Sequence, residues 1–216
     1  MIYRKVFENN HFIVVDKSPN VLSVPSRLGV NDDRPCLGTI LEMDLNKKIF
    51  PVHRLDFEVQ GLILFAFTPE AHKAGNAWFE KKTIKKTYSA LTQCLETGPT
   101  EFKCKEELVW KCKLLRGKKR AYEANHGKES LTKARLNHID EDGVFHWELE
   151  PITGRSHQLR YELFRHLHPI LGDSLYGSVG VFQQEGIALR AFKIDFSKIE
   201  DRLKFNLPEI IISESL

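Results

Sequence analysis

Four cysteines in 216 residues, Cys36, Cys94, Cys104 and Cys112, are too few and too scattered for a cross-linked scaffold. None forms a Cys-x-x-Cys pair, and the 94-104-112 spacing fits no zinc-ligand pattern. They read as reduced thiols of a reducing compartment. No apolar run, the Leu62–Phe67 stretch included, approaches the ~20 residues of a membrane span. The first twelve residues, MIYRKVFENNHF, lack the apolar core of a signal peptide, so a cytoplasmic protein is expected. No internal repeat, low-complexity tract or linker is present. A net charge of +3 names no partner by itself.

What is present is an ordinary globular composition, 42% hydrophobic and 28% charged. A chain this long suggests one domain, or one core with two lobes. Charge is unevenly distributed. KCKLLRGKKR (111–120) is basic without an acid, and EKKTIKKTYSAL (80–91) carries four lysines. Such patches suit a polyanion, although a solvated basic face reads the same way.

Local patterns place the elements. FIVV (12–15) and VLSV (21–24) read as strands around a Ser18-Pro19-Asn20 turn, and residues 26–35 as loop. Leu37 to Leu45 has helical spacing. LILFAF (62–67) is short and aromatic-rich, as a central strand is. Thr68-Pro69-Glu70 opens a helix to about Lys81, with Thr68 as N-cap and proline at the first position. KKTYSALTQ (85–93) resumes strand character. Residues 97–145 read as strands joined at Thr97-Gly98-Pro99, Arg116-Gly117, His126-Gly127 and Asp142-Gly143, and VFHWELEP (144–151) alternates like a half-buried strand. A helix follows Gly154, with Ser156 as a candidate cap, a Leu159–Leu163–Leu167 stripe, and Pro169 as its stop. Many short strands and few helices predict an α+β fold. Its sheet would be mixed or mostly antiparallel.

Two clusters carry potential chemistry. In PVHRLDFEVQG (51–61), His53, Arg54 and Asp56 sit at the mouth of the apolar strand, where a scaffold can present reactive groups. A local turn in which Asp56 bonds Arg54 or His53 explains the same spacing. In EPITGRSHQLRYEL (150–163), free amides at the helix start favour an anion, and Arg160 lies one turn beyond Ser156. An ordinary surface helix with Arg155 and Arg160 in solvent is the plain alternative.

Taken in order, these stretches resemble the RluA-type RNA pseudouridine synthases. HRLD followed by Gly61 and an apolar strand is similar to the family's catalytic motif, H-R-L-D-x-x-T-S-G. FIVVDKSPNVLSVPS is similar to its first strand–turn–strand, KKTYSAL to K-x-Y-x-A, LEPITGRSHQLR to L-x-P-x-T-G-R-T-H-Q-L-R, and HPILGDSLYG to H-P-I-x-G-D-x-x-Y-G. Five ordered matches span residues 11–177. There are departures: Val59-Gln60 replaces Thr-Ser, Ser18-Pro19-Asn20 replaces Pro-x-Gly, and Ser156 replaces Thr.

The resemblance implies a pseudouridine synthase fold, with helices flanking the sheet around a central cleft, comprising residues 1–216 as a single catalytic domain. The small N-terminal RNA-binding domain of many relatives is expected to be absent. It implies isomerisation of a uridine in structured RNA, ribosomal or transfer, by a monomer needing neither metal nor organic cofactor. Asp56 takes the role of catalytic carboxylate, Arg160 of the arginine that pairs with it, and Tyr88 of the residue packing on the uracil. Arg54 fills the space left by the everted base. His53, Arg155, His157 and Gln158 complete the substrate-binding motifs. Two other classes remain: a catalytically silent RNA-binding relative, suggested by Val59-Gln60, and a metal-dependent hydrolase using His53, His157, His166 and His168. Against the latter, no third ligand has convincing spacing beside His166-x-His168.

Overall fold

The structure, a computed structural model, describes residues 1–26, 29–95 and 102–216. The chain folds as two compact units, the first formed by Met1–Lys85 and Ala191–Glu214, the second by Lys86–Arg190 and Ser215–Leu216.

In the first unit, β1 (Tyr3–Glu8) pairs antiparallel with β2 (Phe12–Lys17), and β2 with β4 (Gln60–Ala66). The short β3 (Phe50–Pro51) also pairs with β4, antiparallel. All of β2 and β4 is buried, so neither strand alternates polar and apolar residues. Register places Lys17 opposite Gly61 and Phe12 opposite Ala66. Gly61 has φ +115°, and a Cβ there would run into the Ala191 backbone, so only glycine suits the entry to β4. Helix α1 spans Leu37–Leu45 and α2 Pro69–Glu80. The Thr68 side chain accepts from the Ala71 amide at 3.1 Å, the N-cap expected from Thr-Pro. Helix α2 packs Ala71 and Trp78 into a core with Phe12, Leu62, Leu64, Phe196 and Phe205.

In the second unit, β5 (Lys85–Thr92), β9 (Phe145–Pro151), β8 (Lys128–Ile139), β6 (Glu107–Arg116) and β7 (Ala121–Glu123) follow one another as antiparallel neighbours. Here the strands do alternate. Trp110, Leu114, Ala134, Leu136, Trp147 and Leu149 face inward, and α3 (Gln158–Arg165) packs against β7, β8 and β9. Trp147 Nε1 donates to Thr92 Oγ1 at 2.8 Å. β10 (Leu189–Asp195) crosses the boundary between the units, and in the first it pairs antiparallel with β11 (Ile210–Ile212).

Three expectations need correction. Val21–Val24 is no strand. Asn20 turns the chain with φ +59°, the Val21 amide then donates to the Phe57 carbonyl, and Ser23 exchanges hydrogen bonds with both backbone groups of Leu55. The segment is fastened to residues 55–57, and among the described residues its strand pairing is a single Leu22–Cys36 bridge. Ser156 does not cap α3. The N-cap is His157, in a left-handed conformation with φ +54° and no side-chain cap. The leucine stripe stops at Leu163, because Leu167 has φ +64°, lies beyond the helix and is 40% exposed. The expected Thr97-Gly98-Pro99 turn lies outside the described residues.

Candidate active site

The sequence-predicted residues divide between the units: His53, Arg54 and Asp56 in the first, Tyr88, Arg155, His157, Gln158 and Arg160 in the second.

In the first unit, the loop between β3 and β4 is held by its apolar side chains. Leu55 and Val59 are buried, while Asp56 is half-buried and Arg54 exposed. The Asp56 carbonyl accepts from the Val59 amide at 3.2 Å, closing a turn around Phe57 and Glu58. Ser23 clamps Leu55 from one side. From the other comes Lys17, a residue that sequence reasoning missed. Its side chain is 1% exposed, and its ammonium donates to the carbonyls of Ser18, Val21 and Phe57 at 3.0, 2.8 and 3.2 Å. Burial pushes the Lys17 ammonium down to about 7, against the opposing pull of Asp56 and Glu58. The one available signal was a lysine closing the apolar run FIVVDK. His53 accepts from the Leu64 amide at 3.0 Å and lies 5.0 Å from the Phe79 ring, so it ties the loop to β4 and α2. Val59 and Gln60, which follow the loop, are both buried.

In the second unit, Tyr88 is buried on β5 opposite Leu149. Residues 153–158 form a tight turn organised by Gln158. Its Oε1 accepts from Thr153 Oγ1 at 2.7 Å and the Arg155 amide at 3.0 Å, while Nε2 donates to Leu131 O at 3.0 Å and Thr132 Oγ1 at 2.8 Å. Every site on this buried amide is thereby engaged within the protein, so Gln158 shapes the turn. Arg155 Nε donates to the Glu129 carbonyl at 2.7 Å. His157 Nδ1 lies 3.2 Å from the Tyr176 hydroxyl. Arg160 is 1% exposed and forks onto Asp173, Nε to Oδ2 at 2.6 Å and Nη2 to Oδ1 at 2.7 Å. The surface-helix alternative for Arg160 is thereby removed. On the same helix, buried Glu162 accepts from Cys112 Sγ at 3.1 Å and Arg165 Nε at 2.6 Å. Burial, reinforced by Glu162, pushes the Cys112 thiol up to about 12. His166 stacks on Trp110 at 4.5 Å, and His168 meets Phe145 at 4.4 Å; burial pushes both imidazoles down to about 4. Among the described residues, no three His, Cys, Asp or Glu side chains converge to hold a metal ion. Nor is any helix long and apolar enough to cross a membrane.

Residues 11–168 match the RNA pseudouridylate synthase family. The chain belongs to this family. It is 34% identical over 175 residues to the dual-specificity RNA pseudouridine synthase RluA of Yersinia pestis, covering 79% of this chain and 80% of that one. It is 29% identical to the tRNA pseudouridine synthase C of Vibrio parahaemolyticus, covering 80% of this chain and 72% of the relative. Among solved structures, human RNA pseudouridylate synthase domain containing 1 superposes with a TM-score of 0.73 at 21% identity, over 98% of this chain and 83% of that one. The fold is therefore that of the pseudouridine synthases, and the protein is an isomerase of RNA uridine.

Proposed function

We propose that the protein converts a uridine of ribosomal or transfer RNA into pseudouridine, with Asp56 as the catalytic carboxylate. The bond between N1 of uracil and C1′ of ribose breaks. The base turns and C5 bonds to C1′. C5 then loses its proton to solvent as N1 regains one. Atoms balance without oxidant, reductant or co-substrate, because the leaving group is also the incoming group. Asp56 serves either as nucleophile or as base on the ribose.

The observation carrying this reading is the Asp56 loop within the family match: a half-buried carboxylate on a turn clamped by Ser23 and Lys17. A fixed backbone keeps a short acidic side chain in one place, which positional catalysis requires. Eversion of the base costs a few kcal/mol, which favours loops and bulges. Exposed Arg54 is the residue proposed to fill the vacated stack, since a guanidinium plane stacks where an ammonium does not. Tyr88 supplies a flat aromatic surface for uracil, and Arg160 a cation for the reaction. His53 and His157 support the turns that present Arg54 and Arg155 to RNA. The exposed cations Arg116, Lys118, Lys119 and Arg120, at the β6–β7 connection, provide phosphate contacts.

The test is a pseudouridine map of RNA from cells with and without the gene. A site lost on deletion, restored by wild type and not by Asp56→Ala, supports the proposal. Restoration by Asp56→Ala overturns it. No site lost on deletion would favour the silent RNA-binding relative.

A further inference from the structure

The proposed chemistry gives no role to Asp173, although it is a buried acid in the HPILGDSLYG stretch. It is 1% exposed, and both its oxygens are taken by Arg160. Its own backbone is fixed: its amide donates to the Ile170 carbonyl at 2.9 Å, and its carbonyl accepts from the Tyr176 and Ser178 amides at 3.1 Å. Tyr176, three residues on, lies under the guanidinium, with Arg160 Cζ 5.4 Å from the ring centroid. The Tyr176 hydroxyl is held in turn, accepting from the Ala121 amide at 2.8 Å and donating to the Ala121 carbonyl at 3.3 Å. A carboxylate fork at its edge and an aromatic ring on its face therefore set the plane of the Arg160 guanidinium.

We propose that Asp173 is a positioning residue for Arg160, orienting the guanidinium and balancing its buried charge before RNA arrives. The inference rests on the reading of Arg160 as a residue of the reaction. A free arginine side chain samples many rotamers, and the fork removes that freedom in advance. A misplacement of about 1 Å at such a group costs on the order of a hundredfold in rate. A carboxamide in place of the carboxylate keeps the volume, but it offers one acceptor where two are needed and turns an N–H toward the guanidinium.

The competing account is that the pair only fastens α3 to the 168–177 turn. Turnover separates the two. The substrate is bulk ribosomal and transfer RNA from cells deleted for the gene and grown on 5-tritiated uridine, since isomerisation releases the C5 hydrogen. For Asp173→Asn, kcat should fall about 30- to 100-fold with KM within about threefold of wild type, and Asp173→Glu should recover part of it. In Arg160→Ala, added guanidinium ion should restore part of the turnover, and Asp173→Asn in the same chain should abolish that recovery. Wild-type kcat in Asp173→Asn overturns the inference, as does guanidinium recovery that does not need Asp173. If Asp173→Asn fails to fold, Asp173→Glu and the guanidinium experiment decide. Wild-type turnover in Arg160→Ala beside an inactive Asp56→Ala refutes the Arg160 reading and this inference with it. Release by Asp56→Ala refutes instead the proposed role of Asp56.

Discussion

Each unit buries a cation, and the two are solvated in opposite ways. Lys17 rests on three backbone carbonyls, with Asp56 and Glu58 acting on it through space. Arg160 rests on a carboxylate that takes two of its nitrogens. Carbonyl dipoles only partly replace water, so the ammonium is pushed down to about 7 and holds its proton weakly. A guanidinium resists deprotonation, and its fork matches a carboxylate edge to edge. Each arrangement suits its site to a different task. The lysine cage fixes a backbone turn, whereas the arginine fork fixes the orientation of a permanent charge.

The largest effect is expected at Asp56, the proposed catalytic group, which also acts on Lys17. Asp56→Ala should cut tritium release from 5-tritiated RNA by at least ~10³-fold, as expected for loss of an acid–base or nucleophilic group. The same change removes a negative charge that raises the Lys17 pKa, so the ammonium should lose its proton at still lower pH. Unfolding in urea across pH 6 to 10 measures the second effect independently of turnover. A Lys17 profile unmoved by Asp56→Ala would sever the electrostatic link between them.

A second break is Arg160→Lys. The charge persists, but an ammonium cannot engage both Asp173 oxygens in the fork geometry. The expected loss is about 3 kcal/mol, read from the urea midpoint, at the lower end of what breaking a buried pair costs. Stability unchanged in this variant would mean that the fork contributes no more than a point charge does.

How much of this could be read from the chain depends on where each partner lies in sequence. β4 and the start of α2 were legible because LILFAF and Thr68-Pro69-Glu70 carry their signals within a few residues. So was the family, through the ordered motifs between residues 11 and 168. The extra edge strand β1 was not, since Tyr3–Glu8 is mostly polar and only partly covered. Val21–Val24 misled because strand propensity is local, whereas Ser23 is captured by Leu55, thirty-two residues away. Lys17 was invisible for the same reason: its third acceptor is forty residues distant at Phe57. The Arg160–Asp173 fork spans thirteen residues across a turn that no periodicity predicts. Resemblance named Arg160, but only packing reveals what holds it.

The cage itself can be tested by removing its charge. The folded-state pKa of Lys17, about 7, lies below its ordinary 10.5. Between those values the unfolded chain binds the extra proton, so stability rises with pH. This gain is absent below pH 7 and complete above 10.5, at about 1.4 kcal/mol per pH unit in between. Lys17→Met should lack the rise. Urea unfolding at pH 6.5, 8 and 9 compares the slopes, and parallel slopes in the two proteins would refute a buried, labile ammonium.

The smallest expected effect concerns the imidazoles of the second unit and extends the contrast to groups with no counter-ion role. His166 and His168 are pushed from 6.5 to about 4 by burial, with the Arg165 charge adding to the shift at His166. Their folded pKa values are depressed, so the unfolded chain takes up protons first on acidification. The stability they allow is whole above pH 6.5 and is lost as pH falls toward 4. His166→Phe preserves stacking on Trp110 and removes one titration. Because water still reaches part of His166, the variant should recover only about 1 kcal/mol at pH 4.5 relative to wild type, and nothing at pH 7.5. An equal difference at both pH values would mean that the ring's packing, not its proton, sets the stability at this position.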